Sequence, residues 1–165
     1  MSAAVHLGTQ GWAYPDWIGV FYPPGAKQEH YLPFYSRIFD TVELDTTFYH
    51  PPRAAVVRSW EKRVPDHFRF AAKVPRAITH DALLVNVTAE FEVFVRSLDP
   101  LGEKRGPLLV QMPAEFEHHA AALATLEKFL TAIPSGVKVA VEVRHESWHV
   151  ASVYDTLRRH NVALA

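Results

Sequence analysis

The sequence predicts an α/β fold, a parallel (β/α) TIM-type barrel of which this chain holds an incomplete set of units. Short β-like runs alternate with helix-period segments along all 165 residues, and parallel neighbours in a sheet require such crossover helices. The run Gly8-Thr9-Gln10-Gly11 lacks the G-x-G-x-x-G spacing of an open, doubly wound nucleotide-binding sheet. Successive predicted strands start about 31 residues apart, so eight units would need roughly 250 residues, the usual size of this barrel.

The strands are predicted from short runs of residues that favour extended backbone. They cover residues 5–9, 41–44, 68–73, 108–111, 138–143 and 162–165. The last run is only the opening of a strand, so we expect five β/α units plus the start of a sixth strand. We interpret residues 1–165 as a single domain, the N-terminal part of a barrel whose remaining units are absent from this chain. Such a sheet has open edges, so we expect marginal stability and self-association through those edges.

The helices are predicted from apolar side chains that recur with helical spacing between the strands. These stripes are Tyr31, Phe34, Tyr35 and Ile38; Val56, Trp60 and Val64; Phe91, Phe94, Val95 and Leu98; Leu123, Leu126 and Leu130; and Val153 with Leu157. We interpret the stripes as core packing. Ser152 and Asp155 have the spacing of a capping box at the start of the last helix.

Composition and charge exclude several classes of protein. The chain is 48% hydrophobic and 21% charged, with a net charge of −1, so nothing global favours nucleic acid or a membrane surface as a partner. Without cysteine there are no disulfides, thiolate nucleophiles or cysteine metal sites. The first residues show no signal-peptide pattern, and the apolar runs are shorter than the ~20 residues of a membrane span. We expect a cytoplasmic protein with no membrane partner.

Polar side chains gather at the C-terminal ends of the predicted strands. Side chains alternate along a strand, so where the apolar ones face the helices the polar ones point into the barrel. The expected inward set is Gln10, Glu43, Asp45, Lys73, Gln111, Glu142 and Arg144. Active sites of such barrels lie at this end, and charged groups that converge in a pocket favour a functional site. The structural alternative is a network of ion pairs, such as Lys73 with Glu43 and Arg144 with Glu142.

Glu43, Lys73, Glu142 and Arg144 are the candidate catalytic residues. The carboxyl groups of Glu43 and Glu142 suit a general acid and a general base. Lys73 suits an amine nucleophile, if it is desolvated, or a cation that stabilises developing negative charge. Arg144 offers the planar fork that binds a carboxylate or phosphate.

The candidate substrate-binding residues surround this set at the same end of the barrel. They are Gln10, Trp12, Tyr14, Asp45, Tyr49, His80, Gln111, His145 and Trp148. Aromatic side chains suit sugar rings or bases by stacking, with anchoring of loops as the alternative. No H-x-x-x-H or H-E-x-x-H spacing falls on a predicted helix, so no metal site is predicted and the cofactor stays unknown. We expect His118 and His119 to be solvent-exposed residues at a helix start.

Three kinds of function fit these residues. The first is an enzyme that uses acid–base chemistry on a small polar metabolite, either sugar-like or phosphorylated. The second is a nucleic-acid or phosphodiester-binding barrel, assisted by a metal, although the net charge does not support it. The third is a barrel that binds a small-molecule ligand without altering it.

Five blocks of sequence, in order, carry a family resemblance. They are Gly8-Thr9-Gln10-Gly11-Trp12-Ala13-Tyr14 with Trp17 and Phe21-Tyr22-Pro23; Val42-Glu43-Leu44-Asp45-Thr46-Thr47-Phe48-Tyr49; Phe70-Ala71-Ala72-Lys73-Val74-Pro75 with Thr79-His80; Leu109-Val110-Gln111-Met112-Pro113 with Phe116; and Val141-Glu142-Val143-Arg144-His145 with Ser147-Trp148. Together they resemble the YecE-like family, also known as domain of unknown function 72. The resemblance implies a barrel of roughly eight units and no settled activity. The family usually has Asn-Ser where this chain has Asp45-Thr46, which implies a change in the charge offered to a ligand.

Overall fold

The computed structural model describes residues 5–165, whose strands form one parallel sheet. The strands are β1 (Gly8–Gln10), β2 (Thr41–Leu44), β3 (Arg69–Lys73), β4 (Arg105–Gln111), β5 (Val139–Glu142) and β6 (Ala163–Leu164). Each strand pairs with the next in parallel, so the sheet order is the chain order and β1 and β6 form its edges. This open, six-stranded β/α sheet is the incomplete TIM-type barrel that the alternation of elements predicts.

The five helices alternate with the strands and cover one face of the sheet. They are α1 (Gln28–Tyr35), α2 (Ala54–Glu61), α3 (Thr88–Ser97), α4 (Ala120–Thr131) and α5 (Ala151–Arg159). Short turns of other helix types connect them, including the π-helical turn Ala77–Asp81 after β3. Within residues 5–165, every helix is too short or too polar to cross a bilayer.

The core lies between the sheet and the helices. For the second to fifth predicted strands, the residues that the sequence assigns to the helix side are buried there, namely Val42, Leu44, Phe68, Phe70, Ala72, Leu108, Val110, Val139, Val141 and Val143. The predicted helix residues Phe91, Phe94, Val153 and Leu157 are buried opposite them. This confirms the predicted alternation in β2 to β5, and it leaves the polar residues of those strands on the inner face.

The first strand is shorter than predicted. Val5 and Leu7 are exposed and precede β1, which begins at Gly8. Thr9 is the residue that faces the helices, because the buried Tyr35 hydroxyl lies 2.7 Å from the Thr9 backbone N–H and 2.9 Å from its Oγ1. These hydrogen bonds fix α1 to β1 and therefore place Gln10 on the inner face.

Three details of the predicted helices are wrong. Ile38 is exposed because α1 ends at Tyr35 and the chain then turns, so helical spacing no longer applies. On α2 the buried valine is Val57, and Val56 is exposed. The predicted capping box is absent because α5 begins at Ala151, which places Ser152 inside the helix rather than before it.

Candidate functional site

The strand register places the predicted inward residues side by side at the C-terminal end of the sheet. Gln10 on β1 is level with Glu43 on β2, and Gln111 on β4 is level with Glu142 on β5. Between these pairs, Leu44 is level with Ala72, so Asp45 and Lys73 follow at the same height. The sheet therefore collects on one surface the polar residues that the sequence scatters over more than a hundred positions.

Glu142 is the carboxylate with the most hydrogen bonds in this group. The Gln111 Nε2 donates to Glu142 Oε1 and Oε2 at 2.9 and 2.8 Å. The Arg144 Nε donates to Oε1 at 3.1 Å, which confirms the predicted Arg144–Glu142 ion pair. An amide and a guanidinium therefore hold this carboxylate in one orientation.

Lys73 pairs with a different carboxylate from the predicted one. Its Nζ lies 3.5 Å from Asp45 Oδ1 and 4.5 Å from the centre of the Phe48 ring, and its side chain is 12% exposed. The predicted pairing with Glu43 is absent among the described ion pairs, because Glu43 is level with Ala71 rather than with Lys73. Lys73 is therefore a largely desolvated cation held between a carboxylate and an aromatic face.

Glu43 is half-buried and differs from the other two carboxylates. In the described part of the chain its carboxyl oxygens have no hydrogen-bond donor within reach. Burial raises its pKa above the ordinary value, Lys73 opposes this, and the charges of Asp45 and Glu142 raise it further. Glu43 is therefore a group that holds a proton more readily than an ordinary glutamate.

Replacing Glu43 with glutamine is expected to stabilise the protein near neutral pH. The pKa of Glu43 is raised in the folded state, so folding binds the proton more tightly than the unfolded chain does. Its ionisation therefore destabilises the fold as pH rises through the raised value, and the effect vanishes below the ordinary value of 4.5. Thermal unfolding should show a gain for Glu43→Gln at about pH 7 and none at about pH 4. Glu92→Gln, at a partly exposed carboxylate on α3 that pairs with Arg96, is the control, and an equal gain there would contradict the prediction.

Thr47 is a buried residue that holds the ends of β2 and β3 together. Its Oγ1 lies 2.6 Å from the Leu44 carbonyl and 2.7 Å from the Lys73 carbonyl. The hydroxyl therefore sets the separation between Asp45 and Lys73. Sequence reasoning missed this residue because a single threonine after a strand carries no local signal of a partner 26 positions away.

His80 lies beside Lys73, in the π-helical turn after β3. Its ring meets the edge of Phe48 at 5.1 Å between centroids, and its Nδ1 is 2.8 Å from Thr79 Oγ1. Burial lowers its pKa, and the positive charges of Arg76 and Lys73 lower it further. The structure therefore brings His80, as a mainly neutral imidazole, to the same surface as the carboxylates.

The backbone after this turn is strained. Leu83, Leu84 and Asn86 have φ angles of 47°, 65° and 55°, in the left-handed region that favours glycine. Leu84 is nevertheless buried, so packing holds the strained conformation. Strain of this kind is found where a loop must present a side chain in one orientation, and here that loop carries His80.

An aromatic cleft adjoins Glu43. It has a volume of about 320 Å³ and is lined by Gly11, Trp12, Ala13, Tyr14, Glu43, Leu44, Asp45, Thr46 and Trp60. Trp12 and Trp60 meet edge to face at 5.8 Å, and the Tyr14 hydroxyl donates to the Gln10 carbonyl at 2.5 Å. The structure thus brings Trp12 and Tyr14 to the site. Sequence reasoning assigned Trp60 only to the core of its helix, because its helical spacing does not reveal the loop packed against it.

Three predicted binding residues make their described contacts with loop residues rather than with Glu43, Asp45 or Glu142. Tyr49 is exposed and touches the edge of Phe48. His145 turns toward Ser147, whose Oγ is 2.8 Å from its Nδ1. Trp148 is 1% exposed, and its indole N–H donates to a backbone carbonyl at 2.6 Å, so it anchors the loop after β5.

The run His145-Glu146-Ser147-Trp148-His149 has H-E-x-x-H order but not the geometry of a metal site. It forms a short 3-10 turn rather than the α-helix that would bring both histidines to one face. Within residues 5–165, no three His, Asp or Glu side chains are grouped to hold a metal ion.

The prediction that His118 and His119 are both solvent-exposed is correct for His119 and wrong for His118. His119 is exposed and accepts a hydrogen bond from Ala122 N at the start of α4. His118 is partly buried, and its Nε2 is enclosed without a hydrogen-bond partner among the described residues. Its ring meets the edge of Trp148 at 5.2 Å, which explains the burial.

A larger cavity lies at the opposite end of the sheet. Its volume is about 620 Å³, and its lining includes Thr41, Arg69, Arg105 and Lys138. These residues lie at or near the N-terminal ends of their strands, whereas Glu43, Asp45 and Glu142 lie toward the C-terminal ends. Activity in such barrels resides at the other end, so the smaller aromatic cleft is the candidate site.

Comparison with known proteins identifies the family. The model of the family described as "Protein of unknown function DUF72" matches residues 6–165. The chain belongs to the DUF72 family. Its curated relatives include the UPF0759 protein YecE of Escherichia coli K12, 33% identical over 141 residues that cover 86% of this chain and 48% of YecE. The UPF0759 protein YunF of Bacillus subtilis is 29% identical over 157 residues, 92% of this chain and 54% of YunF.

Solved DUF72 structures share the fold. A DUF72 family protein of Thermotoga maritima aligns with a TM-score of 0.85 and 31% identity over 96% of this chain and 63% of its own. One from Enterococcus faecalis aligns with a TM-score of 0.70 and 26% identity, over 81% and 52%. The chain spans about half the length of the curated DUF72 relatives that it matches. Family membership establishes the α/β fold, and the description of the family assigns no activity.

Proposed function

We propose that the protein is an enzyme that binds a small polar metabolite, sugar-like or phosphorylated, at the C-terminal end of its strands and transforms it by acid–base chemistry. The observation that carries this proposal is Glu43, a half-buried carboxyl group with a raised pKa and no hydrogen-bond donor in the described chain. Glu43 is not an enclosed carboxylate, because its unpaired oxygens reach solvent and can therefore reach a ligand. An unpaired carboxyl group of this kind is available to exchange a proton with a ligand.

The two glutamates of the site have environments suited to opposite roles. Glu142 accepts hydrogen bonds from Gln111 and Arg144, which fix the orientation of its carboxylate. Glu43 has a raised pKa because of burial, which favours the protonated acid. Pairs of carboxyl groups in such contrasting environments divide the work of acid and base in enzymes. We assign Glu43 to the proton transfer and Glu142 to an anionic role opposite it.

The remaining charged residues support a role in binding and charge stabilisation. Lys73 lies against Asp45 and over Phe48, an arrangement that suits a fixed cation better than a free amine nucleophile. Arg144 uses its Nε on Glu142, its side chain is 50% exposed, and its terminal nitrogens have no hydrogen bond within the described residues. The aromatic cleft beside Glu43 offers stacking surface for a ring-shaped metabolite.

Substitution of Glu43 tests whether this residue is needed for conversion of the ligand rather than for its binding. The 165-residue protein is first screened by thermal shift against monosaccharides, sugar phosphates and small hydroxy acids. Each compound that binds is then followed by NMR for conversion. We expect Glu43→Gln to retain binding and to lower the rate of conversion by about 10²- to 10⁴-fold, the usual contribution of a general acid or base.

The matched control is Glu92→Gln, at a partly exposed carboxylate on α3 outside the site, which should leave both binding and rate unchanged. Three outcomes would overturn the proposal. They are failure of every compound to bind, binding without any conversion, and conversion at the wild-type rate by Glu43→Gln. The second outcome would make the protein a non-catalytic binding barrel.

A further inference from the structure

The cleft beside Glu43 has an uneven chemical lining. Its aromatic walls come from Trp12 and Tyr14 after β1 and from Trp60 on α2. Glu43 and Asp45 supply its charged groups, and in the described chain its lining contains no Lys or Arg. A cavity with aromatic walls and carboxylates is the environment that stabilises an organic cation.

The nearest cations are already engaged on the far side of the carboxylates. Lys73 binds Asp45 Oδ1 at 3.5 Å, and Arg144 binds Glu142 Oε1 at 3.1 Å. When Glu43 is ionised, this surface carries three carboxylates against two cations, and the third carboxylate has no cation of its own. The remaining negative charge is centred on Glu43, which the cleft borders. An added anion would meet repulsion there, whereas an added cation would balance the charge.

The rings that form the walls are held in place by their backbone and side-chain contacts. The Tyr22 hydroxyl donates to the Trp12 carbonyl at 2.5 Å, and the Gly11 N–H donates to the Glu43 carbonyl at 2.9 Å. The Tyr14 hydroxyl is occupied by the Gln10 carbonyl, so Tyr14 offers a ligand its ring face. The cleft is therefore built to receive a flat or ring-shaped group rather than being formed by loose loops.

We infer that this cleft binds a ring-shaped ligand that carries a protonated amine, of the amino-sugar class, with the ring against Trp12 and Tyr14 and the ammonium group at Glu43 and Asp45. The inference rests on the proposed function for the location of the ligand and narrows its class. Carboxylates bind the ammonium by charge-assisted hydrogen bonds, and the aromatic faces contribute cation–π attraction. Asp45 is the specificity-determining residue, because its carboxylate lines the cleft and offsets the charge of Lys73, which would otherwise repel an amine.

Glucosamine and glucose provide a matched pair of probes, since they differ only in an amino and a hydroxyl group. Binding to the 165-residue protein is measured by calorimetry and by NMR of the indole N–H signals. We expect glucosamine to bind about tenfold more tightly than glucose and to perturb the Trp12 signal. Asp45→Asn should weaken glucosamine binding about tenfold and leave the affinity for glucose unchanged. Asp155→Asn, an exposed carboxylate on α5, is the control and should change neither.

The inference is overturned if glucose binds as tightly as glucosamine, if a hexose phosphate binds more tightly, or if Asp45→Asn has no effect. Unchanged glucose affinity in Asp45→Asn shows that the cleft has not collapsed. Trp12→Phe, which retains an aromatic ring and both carboxylates, should keep the preference for the amine. Failure here is distinct from failure of the proposed function. If the protein binds amines selectively but converts none of them, only the acid–base proposal is wrong. If it converts a neutral or phosphorylated compound and shows no preference for amines, only this inference is wrong.

Discussion

Lys104→Met is expected to lower the free energy of unfolding by about 3 to 5 kcal/mol, the usual result of breaking a buried ion pair. The Lys104 side chain is 9% exposed, and its Nζ lies 2.9 Å from Glu61 Oε1. It also donates to the Glu61 carbonyl at 2.8 Å and the Val64 carbonyl at 3.0 Å. Methionine fills the same space but leaves the two carbonyls at the end of α2 without a donor.

The position of Lys104 explains why the effect is large. A cation at the C-terminal end of a helix also stabilises the negative end of its dipole. Urea unfolding should show a lower midpoint with an unchanged slope. Lys128→Met, on the exposed side of α4, is the control and should change stability by less than about 0.5 kcal/mol. Lys104→Arg keeps the charge and should lose less. If Lys104→Met behaves like Lys128→Met, the ion pair does not support the fold.

Gly8→Ala is expected to detach β1 from the sheet. A Cβ at Gly8 would lie 1.9 Å from the Thr41 carbonyl oxygen and 2.6 Å from its carbon, which are backbone atoms of the neighbouring strand. The two strands pair over only three positions, so the clash cannot be spread over a long ladder. We expect a loss of about 3 kcal/mol, the upper end of the usual cost of overpacking.

Detachment of β1 should also abolish binding in the aromatic cleft. The Gly11 N–H bond to Glu43 depends on this pairing and positions the loop that carries Trp12 and Tyr14. Hydrogen exchange should show faster exchange at residues 8–11. Gly136→Ala is the control, because its added Cβ has no atom within 4 Å and only its φ of 81° opposes the change. It should cost about 1 kcal/mol. Protected β1 amides in Gly8→Ala would contradict the prediction.

Much of the site could be predicted from local rules. Alternation of apolar and polar residues along β2 and β5 indicated that Glu43 and Glu142 leave the helix side, and both lie on the inner face. The Arg144–Glu142 pair also followed from alternation, because two residues separated by one position on a strand share a face. The sequence also indicated that Trp12 and Tyr14 lie at the mouth of the barrel, because both follow the C-terminal end of β1.

Other features depended on contacts between distant segments. Lys73 binds Asp45 rather than Glu43 because the β2–β3 register sets their heights, and a shift of one residue would reverse every facing side chain. Thr47 reaches the Lys73 carbonyl only after β2 and β3 have paired. Trp60 joins the cleft because α2 packs beneath the loop after β1.

The sequence by itself determined the order of strands and helices, the face on which each strand residue lies, and the end of the sheet where charged groups collect. These properties arise from interactions within a few residues, which alternation and helical period report directly. The tertiary structure alone decided which charges pair, which aromatic rings are buried and which carboxylate is left unpaired. The reason is that these features depend on partners remote in the chain. Trp148 is enclosed by such partners, whereas no remote segment brings a hydrogen-bond donor to Glu43.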